Sequence, residues 1–182
     1  AQTLEADIVL SAVGIKSNIE GIGLEEMGIE VDRDKIKVDE HYQTSAKGVY
    51  AIGDIIATPA LAHVASAEAI HCVEHICGLE PEAVDYSTIP SCIFTSPEVA
   101  SVGETEQSAK EKGLDVSVQT VTLKYSGRYI AENEHGYGIL KLITDKKHKN
   151  IVGLHMIGSY ASEIIYGAAM MIENEMRVDD IK

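Results

Sequence analysis

Long hydrophobic runs, paired cysteines and an excess of positive charge are all missing from this sequence. No apolar stretch approaches the ~20 residues that a helix needs to cross a bilayer. The opening AQTLEADIVL lacks the basic start and small-residue cleavage site of a secretory signal. Three cysteines, an odd number, make no disulfide framework and fit a reducing, cytoplasmic setting. With 15 basic residues against 29 acidic ones, the formal net charge is −14. That balance argues against nucleic acid and against a membrane surface as partners. Internal repeats and low-complexity tracts are absent. There is no initiator Met, a strand-like run begins almost at once at Ala6, and ENEMRVDDIK stops soon after a helix with no capping signal. Both ends read as cut from something longer.

What is present is an ordinary apolar fraction over 182 residues, enough for one sizeable domain or two small ones. ADIVLSAVG (6–14) is a continuous apolar run ending at Gly14, the pattern of a buried parallel strand. GLEEMG (23–28) reads as a short helix or turn. IEVD and IKVD, joined by RDK, predict a hairpin. VYAIGD predicts another strand. Residues 60–77 have helical spacing and end at Gly78, a natural C-cap. The proline-bearing segment 78–90 reads as a linker. Beyond it lie the runs SCIFT, VASVG, VSVQTVTL, YGILKLIT and NIVGLHMIG. A helix from Thr105, as N-cap, to Gly113 and a final apolar helix from about Ser159 to Glu175 accompany them. Short loops between successive strands predict an antiparallel sheet with helices on one side.

The stretch GVYAIGDIIATPALAHVA (48–65) carries the chemistry. A strand that ends in Gly-Asp at a sheet's carboxyl edge lies where α/β folds bind ligands. Glycine permits a tight turn and a close ligand. An ionised Asp54 is purely an acceptor, suited to a sugar or polyol hydroxyl. The helix starting near Leu61 aims free N–H groups and its positive end at the same place. Taken alone, an Asp after a strand reads more simply as a turn residue or helix cap.

The surrounding residues change that weighting. ADIVLSAVGIKSNIEGIGLEEMGIEVD, QTSAKGVYAIGDIIATPALAHVASAEAI and IPSCIFTSPEVASVGETEQSAKEKG occur in this order. Together they resemble the C-terminal part of the flavin-dependent pyridine nucleotide-disulfide oxidoreductases, and most of all the branch that reoxidises dihydrolipoyl groups. The resemblance implies an α/β and α+β chain. Residues 1–20 would close a nicotinamide-binding domain, 21–87 would form the second part of an FAD-binding domain, and 88–182 would form a truncated antiparallel-sheet interface domain. It implies that Asp54 accepts a hydrogen bond from a ribityl hydroxyl of FAD. Ala60, Leu61, Ala62 and His63 would lie against the flavin through backbone groups, and Gly14 beside NAD. It implies a homodimer and, for the longer parent, lipoyl domains of 2-oxo acid dehydrogenase complexes as partners. Two departures stand out: Ile15-Lys16-Ser17 replaces a segment that often carries Arg or Pro, and Ala60 stands where many relatives have Met.

The family's redox disulfide, His-Pro acid–base segment and first dinucleotide motif are not found, so no residue of this chain is assigned a catalytic role, and the piece alone is expected to be inactive. Cys72 and Cys77 have the disulfide's spacing but sit in a predicted helix, where five residues are ~140° out of phase. They read as buried small hydrophobes. Gly21 and Gly23 mimic a phosphate loop without its strand or third glycine. His71 and His75, four apart, form a possible metal clamp but read better as surface or partly buried histidines, so no metal is assigned. Cys92 reads as core, DKKHK as a solvated turn, and His155 as a residue without a visible partner. The alternatives within the family are a glutathione reductase, mercuric reductase or transhydrogenase fragment. Outside it, the alternative is a stand-alone dimerisation module.

Overall fold

Capping chemistry sets the ends of most helices in the computed structural model, which describes residues 3–134 and 136–181. The chain divides into two compact units, Ala1–Val84 and Asp85–Lys182.

In the first unit, β1 (Val31–Asp32) and β2 (Lys35–Ile36) form the expected hairpin around Arg33 and Asp34. Isolated bridges join Val38 to Thr44 and Gln43 to Tyr50. Helix α1 (Ala62–Ile76) buries Val64, Glu68, His71 and Cys72, one stripe at helical spacing. It ends in a Schellman motif: the Gly78 N–H donates to the His75 carbonyl at 2.9 Å and the Leu79 N–H to the Glu74 carbonyl at 3.0 Å. Ile19, Ile29, Ile36, Tyr42, Ala51, Ile56 and Cys72 make the core.

Two expectations fail here. Residues 6–14 form no strand, and Leu10 and Val13 are 88% and 95% exposed. A parallel strand is buried only when neighbours pair with its edges and cover its faces, and the described residues supply none. Nor does VYAIGD continue as a strand. Tyr50 makes a single bridge, and Gly53–Ile55 is a turn of 3-10 helix.

The second unit follows the sequence closely. Strands β3 (Ser91–Ile93), β4 (Val99–Gly103), β5 (Val116–Thr122), β6 (Ile139–Asp145) and β7 (Ile151–Ile157) form one antiparallel sheet in the order β3-β4-β7-β6-β5. Ala100 and Val102 alternate along β4, and Leu154 and Met156 along β7. They pack with Ala161, Ile165, Ala168 and Ala169 of α4 (Ala161–Glu173). Period 2 on the sheet thus meets period 3.6 on the helix. Helix α2 (Glu106–Glu111) has the expected Thr105 cap, closed as a box by Ser108. Helix α3 (Gly127–Glu132), capped by Ser126, was not foreseen. At six residues it is too short to show a period. Among the described residues no helix is long and apolar enough to cross a membrane.

Candidate functional site

Gly53 and Asp54 reach their place by backbone pinning rather than by a sheet edge. The Ala51 N–H donates to the Tyr42 carbonyl at 3.0 Å, and the Thr44 N–H to the Val49 carbonyl at 2.8 Å. The chain then turns at Gly53, whose φ of +72° favours glycine. A Cβ at Gly53 would stand 3.2 Å from the Ala65 Cβ, so the turn lies close against α1. The Gly53 N–H donates to Glu68 Oε2 at 2.7 Å, and the Ile56 N–H to the Gly53 carbonyl at 3.0 Å. The Asp54 carbonyl accepts from Ser17 Oγ at 3.0 Å and from Lys35 Nζ at 2.6 Å. Lys35 Nζ also donates to Ser17 Oγ at 2.8 Å. The Ser17 N–H donates to Asp34, holding that carboxyl below its usual range.

These contacts fix the backbone of Asp54 and leave its side chain exposed. Among the described residues its carboxylate has no hydrogen bond or ion pair. Leu61, half-buried, is the N-cap of α1 and offers no side-chain cap. Ala60, Ala62 and His63 are exposed around that start. The first-turn N–H groups of α1 therefore have no capping side chain, and the positive end of the helix dipole lies there. Between the turn and the helix, Thr58 Oγ1 is buried with no hydrogen-bond partner among the described residues. The structure so brings Asp54 and Ala60–His63 onto a turn and a helix start that follow each other directly. Gly14 lies in the unpaired segment, exposed, with φ +110° and nothing within 4 Å of where a Cβ would stand.

Sequence reasoning missed Ser17, Lys35 and Glu68. Glu68 was detectable as a carboxylate on the apolar stripe of α1, where only a buried partner could hold it. Ser17 belongs to the segment that departs from the family pattern, and it is buried because it supports Asp54.

The remaining candidates have structural surroundings. Cys72 is buried, Cys92 half-buried and Cys77 exposed just past the end of α1, and all three are free thiols. Burial pushes the Cys72 and Cys92 thiols up, with smaller contributions from nearby carboxylates. His155 does have a partner, contrary to expectation: its Nε2 lies 2.9 Å from the Glu104 carbonyl. The Lys146–Lys149 turn is exposed. Among the described residues no group of three or more His, Cys, Asp or Glu is arranged to hold a metal ion.

Comparison with known proteins covers both units. Residues 89–182 match the profile described as pyridine nucleotide-disulphide oxidoreductase, dimerisation domain, and residues 1–69 match the pyridine nucleotide-disulphide oxidoreductase profile. The chain is 42% identical over 181 residues to a dihydrolipoyl dehydrogenase of Bacillus subtilis, covering 99% of this chain and 38% of that protein. It is 39% identical to one of Rhizobium etli, covering 99% of this chain and 37% of the relative. The structure of LpdA from Mycobacterium tuberculosis superposes with a TM-score of 0.82 at 26% identity, over 91% of this chain and 36% of LpdA. The chain thus spans little more than a third of the length of these relatives. The dimerisation profile alone accounts for over half of the sequence, and the chain belongs to the pyridine nucleotide-disulphide oxidoreductase family.

Proposed function

We propose that this chain is part of a dihydrolipoyl dehydrogenase, supplying one side of the FAD site and much of the dimer interface. The observation that carries this reading is the Asp54 carboxylate, left free on a backbone tied from both sides and followed directly by the uncapped start of α1. The donor set fits a flavin nucleotide. Asp54 accepts from ribityl hydroxyls, and the first-turn N–H groups at Ala62 and His63 donate to the electron-rich edge of the ring. Ala60 and Leu61 give backbone and apolar contact. Gly14, without a Cβ, lets NAD approach. Bound there, FAD would relay electrons from a dihydrolipoyl dithiol to NAD. Glu68, Ser17 and Lys35 hold the acceptor in place and take no part in the chemistry.

Residues 1–20 are assigned to the end of the nicotinamide domain, 21–87 to the FAD domain and 88–182 to the interface domain. A homodimer is supported by the dimerisation profile and by α4, whose Ile164 and Met170 are 48% and 53% exposed. Lipoyl domains of 2-oxo acid dehydrogenase complexes are the proposed partners. A cytoplasmic location is supported by the three free thiols.

The test uses the full-length gene product. NAD-dependent oxidation of dihydrolipoamide with tightly held flavin is expected, and Asp54→Leu should lose the flavin. A protein that reduces glutathione disulfide or mercuric ion instead, or that retains flavin in Asp54→Leu, would sink the assignment. This chain by itself should bind FAD weakly and show no dehydrogenase turnover.

A further inference from the structure

Ser17 is the point at which an unsupported stretch of chain meets the body of the first unit. Residues 3–16 are exposed and belong to no helix or strand, whereas Ser17 is 8% exposed. Among the described residues no backbone-to-backbone hydrogen bond holds it there. Side chains do. The Ser17 N–H donates to Asp34 Oδ2 at 3.0 Å, at the tip of the hairpin. Ser17 Oγ stands 3.0 Å from the Asp54 carbonyl oxygen and 2.8 Å from Lys35 Nζ, and Lys35 Nζ stands 2.6 Å from the same carbonyl.

The hydrogens of this triangle have one arrangement. An ammonium group only donates, so Ser17 Oγ accepts from Lys35. A carbonyl only accepts, so the single hydroxyl hydrogen of Ser17 points to Asp54. The closed ring joins three elements: the segment that ends at Ser17, the hairpin, and the turn Gly53–Ile55. Gly14 is three residues from Ser17, so the chain between them spans at most ~11 Å.

We infer that Ser17 and Lys35 are positioning residues that couple the flavin turn to the nicotinamide segment. The inference rests on the reading that Asp54 holds FAD and that Gly14 lies beside NAD. Once its carboxylate is engaged, Asp54 loses freedom as a residue, and its carbonyl passes that restraint to Ser17. The first ligand then orders residues 14–17 as well as its own turn, and the second loses less freedom on binding. Linkage makes the effect mutual: NAD, by fixing Gly14, strengthens FAD binding by the same factor. There are two routes. The hydroxyl of Ser17 is the direct one. The other runs from the Asp54 carbonyl through Lys35 to its hairpin neighbour Asp34 and the Ser17 N–H. Removing the hydroxyl weakens the coupling, and removing Lys35 as well ends it.

Hydrogen exchange of the full-length gene product, with and without bound FAD, tests the coupling. In the wild type FAD should slow exchange over residues 14–17 by roughly fivefold or more, in addition to residues 53–63. In Ser17→Ala the slowing at 14–17 should shrink. In Ser17→Ala combined with Lys35→Met it should vanish, while 53–63 still responds to FAD. Ser17→Thr, which keeps the hydroxyl, should behave as the wild type. A merely supporting contact would change exchange with and without FAD alike. NAD should tighten FAD binding roughly fivefold in the wild type and leave it unchanged in the double variant. If the double variant does not fold or does not hold FAD, Ser17→Ala decides alone. A wild-type protein that binds no FAD overturns the flavin reading and the coupling with it. Bound FAD with no change at 14–17, or FAD affinity indifferent to NAD, overturns the coupling alone. So does slowing at 14–17 that survives in the double variant or, where Ser17→Ala decides, is undiminished there.

Discussion

In Asp85–Lys182 a continuous five-stranded ladder pairs the backbone of the strands, and one helix packs on one face of it. In Ala1–Val84 the strands are two residues long, and the chain is held by isolated bridges and by side chains that reach backbone groups. Glu68, Ser17, Lys35, Thr44 and Asp39 all act in this way. The second unit should therefore be sensitive to shape and tolerant of polar change, and the first the reverse.

Substitution at Gly103 should break the second unit most severely. It has φ +75°, and a Cβ there would stand 2.3 Å from the Val152 carbonyl oxygen and 3.0 Å from the Gly153 Cα. Both obstacles are backbone, so Gly103→Ala should cost about 3–5 kcal/mol. Thermal unfolding followed by residue-resolved exchange should show the sheet melting early while α1 stays protected. Loss of both units together would show that they fold as one.

In the first unit the corresponding weak point is polar. Glu68→Ala leaves the buried Gly53 N–H without its acceptor and should cost about 2–3 kcal/mol in urea unfolding. Glu68→Gln, which keeps an accepting oxygen, should cost less. Equal costs would mean that the charge, not the hydrogen bond, matters.

Thr58→Val preserves shape and removes a buried hydroxyl that has no partner among the described residues. It should raise stability by about 1–2 kcal/mol, and a loss on the same urea curve would mean that the hydroxyl finds an acceptor in solution.

Smaller again is the effect of Glu175→Gly. Glu175 closes α4 in a Schellman arrangement, its N–H donating to Ile172 and the Met176 N–H to Met171, with φ +50°. Glycine there should add about 0.5–1 kcal/mol to the midpoint stability of the second unit.

The smallest effect concerns Glu98. Its Oε2 accepts the Ser162 N–H at 3.0 Å and Ser162 Oγ at 2.8 Å, which holds the carboxyl below its ordinary value of 4.5. A lowered folded-state value means that the contribution is fully present above the ordinary value and is lost as pH falls through the folded one. Glu98→Gln should flatten this acid limb of the melting temperature, and an unchanged limb would assign it to other carboxylates.

The same contrast explains what the sequence disclosed. The second unit was legible because its strands are apolar runs separated by short polar loops, as in VASVG and NIVGLHMIG, and because Thr105 and Gly113 mark a helix's ends. Its unseen element, α3, is a single capped turn and a half. The first unit misled because strand-like composition at ADIVLSAVG and VYAIGD is realised only if other strands lie alongside, and that information is not local. Asp54 and Ala60–His63, proposed above to face the flavin, were named from the motif. Their supports were not, because Ser17 and Lys35 act through the Asp54 carbonyl, an atom every residue type possesses.

The unpaired segment 6–14 has a colloidal consequence. It carries Ile8, Val9 and Leu10 at 84–88% exposure and a single acidic residue, Asp7, with no proline. Such a stretch offers free N–H and C=O groups to an identical stretch on another molecule. Pairing of that kind has no geometric stopping point, whereas a self-complementary interface closes at two. In a concentration series the two routes separate by shape: a dimer saturates, and strand-to-strand growth keeps adding mass.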